Sequence, residues 1–337
     1  MTSQPTSARQ GANTAPLAAL SEPEVVILLA SYQGARFLPA QLDSIAAQSH
    51  RNWSLIISDD GSTDGSRDIV DRFANRYGKQ RVTLVDGPCV GATANFLHLL
   101  QIAPEGKILA FSDQDDVWMP QKLARAVTAL HQTTGPTHYA ARTLICDEDL
   151  RPLAQSRHFR RPFGFRNALI QACMAGNTSV FNAGAARILK AGAMHARDAG
   201  VVSHDWWAYQ LLSGSGGHVL RDHQPVLHYR QHGRSEIGRN DTALALIKRL
   251  GMLFTGDFGQ WLHANTKALA AAETLTDENR RTLAEFGKAL ELPGPLAAAR
   301  LRRLGLYRHT RAGSAAFHAA ALAGRLRQRR SDSSPSR

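Results

Sequence analysis

Between residues 25 and 131 the chain alternates apolar runs with helical periodicities. Val25-Val26-Ile27-Leu28-Leu29-Ala30 is an unbroken apolar run closed by Ser31-Tyr32-Gln33-Gly34. That is the pattern of a strand buried on both faces and followed by a turn. Phe37, Leu38, Leu42, Ile45 and Ala46 then recur at helical spacing. Residues 53–58 predict a second strand, closed by the polar string Asp59-Asp60-Gly61-Ser62-Thr63-Asp64-Gly65, and Ile69, Val70 and Phe73 mark the next helix. Residues 82–85 predict a third strand, 94–100 a helix, and 107–112 a fourth strand ending at Asp113. Pro120 suits a first helical position, opening a helix that carries Leu123, Val127 and Leu130.

Strand and helix in strict alternation predict a doubly wound α/β sheet. Ligands of such sheets bind beyond the carboxyl ends of the strands. The polar clusters at Ser31, Asp59 and Asp113 each sit at such an end, so they are expected to meet in one crevice. The second half is less regular. Residues 137–145 read as a strand, 176–181 as a loop entering a strand, 183–191 as a helix, 205–212 as a short helix and 226–229 as a strand. Beyond Asp241 the chain turns mainly helical, with an Ala- and Leu-rich stretch at 262–275. The expected organisation is a flexible tail at 1–22, an α/β domain at 23–240, a helical extension at 241–330 and a frayed end at 331–337.

Charge changes this picture. Among 337 residues, Lys and Arg number 40 against 28 Asp and Glu, a formal net charge of +12, which attracts polyanions. Arg300, Arg302, Arg303, Arg308, Arg311, Arg325, Arg327, Arg329 and Arg330 crowd the C-terminal end, whereas acidic residues gather around Asp59 and Asp115. The basic residues are not interleaved with aromatics as in a nucleic-acid-binding module, which argues against nucleic acid as the partner. An acidic pocket inside a basic protein points instead to a cation. The longest apolar runs are too short to span a bilayer. Cys89, Cys146 and Cys173 are too scattered for a disulfide framework, so a reducing, cytoplasmic setting is expected. The basic and apolar residues beyond Leu244 suit either an ordinary helical packing layer or peripheral contact with the inner face of the plasma membrane.

The densest chemistry is Asp113-Gln114-Asp115-Asp116. Alternate residues of an extended segment share a side, so Asp113 and Asp115 can face one ligand while Asp116 turns away. Oxygen ligands suit Mg²⁺ or Mn²⁺, which often bind through one or two carboxylates plus substrate phosphates. A plain polar turn capping the next helix is the bland alternative. The Asp59–Asp60 pair can accept hydrogen bonds from a base or ribose. No glycine-rich dinucleotide fingerprint and no P-loop follows the early strands. Near the end of the α/β region, Arg230 can neutralise phosphate and His232 can contact a metal or a diphosphate, or both can belong to a solvated basic loop. Trp206 and Trp207 could stack on a sugar face, but adjacent tryptophans point different ways, so at least one is expected in the core.

The strings Ala30-Ser31-Tyr32-Gln33-Gly34, Ser58-Asp59-Asp60-Gly61-Ser62-Thr63-Asp64 and Phe111-Ser112-Asp113-Gln114-Asp115-Asp116-Val117-Trp118 resemble those of family 2 glycosyltransferases with the GT-A fold. The last string, with His204-Asp205-Trp206-Trp207 and Tyr229-Arg230-Gln231-His232-Gly233, is similar to the bacterial rhamnosyltransferase-like branch. The resemblance covers roughly residues 24–240. It implies a Rossmann-like mixed sheet flanked by helices and a metal-dependent, inverting transfer from a nucleotide-sugar donor, with a UDP or dTDP sugar expected. dTDP-rhamnose is one candidate. The acceptor implied is a surface glycan or a lipid-linked precursor. Ser31 and Tyr32 would flank the nucleotide, Asp60 would bond the base, Asp113 would lie near the ribose or donor sugar and Asp115 at the metal. Asp205 would be the catalytic base; its residue-level alternative is a helix cap. His204 stands where many members carry an acidic residue. A non-catalytic carbohydrate-binding protein on the same fold is the competing reading, and it does not require a base.

Overall fold

The computed structural model describes residues 22–232, 251 and 253–327. The tails expected at 1–22 and 331–337 lie outside these residues, apart from Glu22, as does the 240/241 boundary. Four parallel strands form first: β1 (Val25–Ser31), β2 (Trp53–Asp59), β3 (Val82–Asp86) and β4 (Ile108–Ser112). They alternate with helices α1 (Leu38–Ala46), α2 (Ser66–Tyr77) and α3 (Ala92–Ile102). A short β5 (Val117–Trp118) precedes α4 (Lys122–His131). Then come β6 (Thr137–Cys146), β7 (Pro152–Gln155), the one-turn α5 (Phe165–Ala168), a 3₁₀ turn at Gly176–Thr178 and β8 (Val180–Phe181). Helices α6 (Ala183–Asp198) and α7 (His204–Gly214) lead into the long β9 (His218–Arg230).

The strands lie in the order β3-β2-β1-β4-β8-β6-β9-β5, with β7 beside β6. The sheet is mixed: β8 runs antiparallel to both β4 and β6, and β9 runs parallel to β6. Two reversals at β8 restore direction, so the carboxyl ends of β1, β2, β4, β6 and β9 lie along one edge. That edge carries every candidate site residue but Asp205.

Successive residues of β1 feed two cores, as strand geometry requires. Val25, Ile27 and Leu29 pack with α1, α2 and α4. Val26 and Leu28 face α3, α6 and α7. The second core runs on without a break into α8 (Asp257–Ala270), α9 (Asp277–Glu291), α10 (Gly294–Arg303) and α11 (Arg311–Leu322), through Leu262, Leu269, Phe286, Leu301 and Phe317. The helical extension is therefore packed into the interior of the α/β unit.

One strand differs from expectation, for a physical reason. β9 begins eight residues before the predicted strand, because Arg221-Asp222-His223-Gln224-Pro225 reads as a turn. The ladder absorbs it with register shifts opposite Arg142. Trp206 and Trp207 are both buried, with Trp206 stacked on Phe258 at 5.7 Å and its Nε1 donating to Ala168 O. Neither is left for a sugar face. Cys146 and Cys173 are buried, but Cys89 is exposed on the β3–α3 loop.

Candidate active site

The β1 end and the Asp113–Asp116 loop are laced together by Gln114. Its Oε1 accepts from Tyr32 N at 2.9 Å and Ser31 Oγ at 3.2 Å, and its Nε2 donates to Tyr32 O at 2.8 Å. A β-carbon on Gly34 would lie 2.1 Å from that Oε1, so glycine is required for the close approach. Ser31 is buried beneath this lacing, while Tyr32 is 57% exposed over the crevice. Gln33 holds a left-handed φ of 48°, with its N–H donating to Ser62 Oγ at 2.8 Å.

Asp60 has a structural task at the rim. Its two oxygens accept from Cys89 N at 2.7 Å and Gly91 N at 2.8 Å. Cys89 sits at φ 57°, a left-handed conformation costing about 1–2 kcal/mol for a residue with a β-carbon. Hydrogen bonds to a charged group contribute about 1.5–3 kcal/mol each, so the carboxylate outweighs the strain. Asp59 is buried and accepts from Ser62 N at 2.9 Å and Arg67 at 3.3 Å.

Asp113 and Asp115 are half-buried on the loop after β4, and Asp116 is fully buried. His232 Nε2 meets Asp115 Oδ2 at 2.7 Å, and the His232 ring lies 4.7 Å from Phe37. Arg230 is buried over the Phe37 ring. Its Nε donates to Asp115 O at 3.0 Å and its Nη1 to Glu148 O. The end of β9 thus holds the acidic loop in place through these two residues. Behind the loop, α1 and the residues just after it turn buried polar side chains toward it. Gln41 and Ser44 lie on α1, and Ser44 Oγ accepts from Trp118 N. Gln48, two residues past the helix, bonds Met119 O and Leu123 N.

Asp116 turns away from its neighbours, as the alternation predicts. Its Oδ2 accepts from Asn177 Nδ2 at 2.7 Å. Burial, then the charges of Asp115 and Asp113, push its carboxyl well above the usual range. Lys122 is equally buried, donates to Asn177 O at 2.6 Å and lies over Trp118, and burial drives its amine well below the ordinary value.

Ser203, not Asp205, is the N-cap of α7. Asp205 stands in the first turn and is half-buried. Its Oδ1 accepts from Ser203 Oγ and Trp206 N, and its Oδ2 accepts from Gly176 N at 3.1 Å. The 3₁₀ turn therefore bonds Asp205 through residue 176 and Asp116 through residue 177. His204 packs flat on Phe96 at 4.0 Å and edge-on to Phe111. Its Nε2 is buried without a partner, and burial lowers its pKa to about 4.

Asn177, Lys122, Gln114 and the Gln41-Ser44-Gln48 row were not singled out from sequence. The row had a signal: polar residues at spacings of three and four along and just past a helix otherwise facing the core. Asn177 had none, because its value depends on two segments distant in the chain. Among the described residues no three His, Cys, Asp or Glu side chains form a metal cage, and two surface cavities of about 240 and 230 Å³ lie away from this crevice.

A mixed sheet with acidic and glycine-containing loops gathered at one edge is the layout of an α/β scaffold with a crevice beyond its strand ends. The sequence profile described as glycosyl transferase family 2 matches residues 26–194, and the chain belongs to that family. It is a glycosyltransferase of GT-A architecture. It is similar to the dTDP-rhamnosyl transferase RfbG of Shigella flexneri, 27% identical over 233 residues covering 67% of this chain and 78% of that protein. It is also 27% identical to the putative teichuronic acid biosynthesis glycosyltransferase TuaG of Bacillus subtilis over 148 residues, 44% of this chain and 58% of TuaG. The fold matches S. aureus TarS 1–349 in complex with UDP-GlcNAc, with a TM-score of 0.54 at 12% identity over 90% of this chain and 88% of that one.

Proposed function

We propose that the protein moves a sugar with inversion from a nucleotide-sugar donor to a hydroxyl of a surface glycan or its lipid-linked precursor. The carrying observation is the 3₁₀ turn, which bonds Asp205 and Asp116 at once. It keeps a carboxylate near the loop that would receive the diphosphate. Similarity to a dTDP-rhamnosyl transferase supports L-rhamnose as the sugar and dTDP as its carrier.

Ser31 and Tyr32 would flank the nucleotide. Asp60 would act mainly by ordering the 87–91 loop, with its unused lone pairs available to the base. Asp205, oriented by Ser203 and Gly176, would take the proton from the attacking hydroxyl. Asp113 and Asp115 fit Mg²⁺ or Mn²⁺: the donors are oxygens, two carboxylates suffice when phosphates complete the shell, and His232 orients one of them. Such an ion supplies positive charge to the departing diphosphate. With Nε2 on Asp115, His232 suits a supporting role better than direct ligation. Arg230 suits ordering of the acidic loop, since two of its nitrogens serve backbone carbonyls. Residues 23–240 would be the catalytic unit and 241–330 its packed helical buttress. Among the described residues no helix is long and apolar enough to cross a membrane. A cytoplasmic enzyme, peripheral at the inner face of the plasma membrane, fits a lipid-linked acceptor.

The test is a donor-hydrolysis and transfer screen over UDP, GDP and dTDP sugars with Mg²⁺ or Mn²⁺. Turnover of dTDP-rhamnose that stops on chelation is expected. Failure of every nucleotide sugar to bind or react with either ion overturns the reading.

A further inference from the structure

The face of β6 and β9 toward α5 and α7 carries a concentration of cations that the crevice does not use. Arg142 extends from β6 and spends Nε and Nη2 on Ser156 O, at 2.9 and 2.7 Å. Arg221 extends from β9, donates from Nη1 to Cys173 O, and lies 5.4 Å from the Phe159 ring centre. The loop after β7 adds Arg157, Arg160 and Arg161, all exposed. Arg161 lies over Tyr307 at 4.3 Å. His158 and His223 sit together at 4.6 Å.

Among the described residues, no carboxylate pairs with Arg142, Arg157, Arg160, Arg161 or Arg221. Asp222, next to Arg221 in sequence, points to the opposite face, where it takes Arg125 at 2.7 Å and Tyr139 at 2.9 Å. The Nε of Arg221 is buried with no acceptor. Burial, with Arg142 adding to it, lowers the Arg221 pKa to about 10. Desolvation, His223 and the guanidinium groups of Arg142, Arg160 and Arg221 push the His158 imidazole down. Like charges gathered this closely without a counter-charge repel one another, and a guanidinium fork matches phosphate oxygens better than any other side chain.

We propose that this face holds the phosphate or diphosphate group of a phosphate-linked acceptor. The proposal rests on the transfer reading above and names its acceptor class. The face is joined to the crevice by one short segment. Arg221 bonds Cys173 O and Arg308 bonds Ile170 O, and Gly176, three residues past Cys173, gives its N–H to Asp205. An anion seated there would brace the segment that orients the base.

The test titrates inorganic pyrophosphate calorimetrically into the full chain in the presence of a chelator. The comparison is with the Arg157→Gln/Arg160→Gln double variant, whose two side chains have no partner among the described residues and whose loss leaves the fold intact. Wild-type binding, weakened at least tenfold in the double variant with donor hydrolysis unchanged, is expected. Affinities equal within twofold overturn the proposal, as does displacement of the bound pyrophosphate by dTDP or UDP, which would assign the anion to the crevice. A vesicle arm separates headgroups from acceptor phosphate. If the double variant leaves phosphatidylglycerol vesicles but keeps its pyrophosphate affinity, the face is a lipid surface and the proposal fails. Absence of donor turnover in a chain that still binds pyrophosphate would instead sink the transfer reading alone.

Discussion

The two halves of the sheet reach the same edge by different means. From β1 to β4, each strand is a mainly apolar run and its loop follows directly, with β1–β2 and β2–β3 pairing in chain order and β4 returning beside β1. In the second half, β6 and β9 are long, polar in places and shifted in register, and ties between distant residues do the positioning. Asn177 reaches Asp116, Arg230 reaches Asp115 and Gly176 reaches Asp205. The first half supplies a cradle whose form local pattern dictates. The second half supplies the carboxylate proposed as base and a clamp on the acidic loop, whose placement depends on packing.

This contrast can be broken where the second half acts on chemistry. Asp205→Asn should lower transfer by about 10²–10⁴-fold, the usual weight of a general base, while donor affinity measured by calorimetry stays within twofold. Wild-type turnover would remove Asp205 from the role. His232→Ala should weaken the metal dependence by roughly 10–100-fold, as loss of a residue orienting a ligand does, read as the Mn²⁺ concentration for half-maximal activity. An unchanged midpoint would show that the Asp115 contact does not matter to the ion.

Smaller effects sharpen the contrast. Asn177→Ala leaves buried Asp116 without its hydrogen-bond donor, and should cost about 1–3 kcal/mol in chemical denaturation. In the first half, Asp60→Asn should raise the donor KM several-fold with little change in kcat, because it loosens the 87–91 loop and not the base. If kcat fell instead, Asp60 would lie closer to the reacting atoms than its bonds indicate. The smallest effect is a pH dependence. Burial lowers the pKa of His138 to about 3 and of His204 to about 4. Both are neutral when folded but take up protons in the unfolded chain below about pH 6.5. Their contribution to stability is therefore present above pH 6.5 and declines as pH falls toward 4. Thermal midpoints should drop over that interval, with a shallower slope in His138→Gln.

The unequal legibility follows from the same division. The ends of β1, β2 and β4 were readable because an apolar run followed by Ser31, Asp59 or Asp113 announces a strand end. At least one of Trp206 and Trp207 was readable as core, but the burial of both was not, because it takes a second layer, here Phe258 of α8, to cover Trp206. Arg230 and His232 looked like ligand-facing residues by charge alone. In the structure they also meet Asp115 and Glu148, which lie over eighty residues earlier in the chain.

The succession of strands and helices and the acidic loops at the strand ends follow from spacing and residue type, because backbone periodicity and turn chemistry are local. The motif strings carried the resemblance to the family. Which side chains meet was decided only by the tertiary structure. β8 reverses direction twice, so β6 and β9 arrive at the crevice edge with their carboxyl ends aligned with those of β1 and β4. The C-terminal helices then close the core behind α6 and α7. Hydrogen bonds form over about 3 Å, so partners tens of residues apart are selected by how the layers pack and by no local pattern.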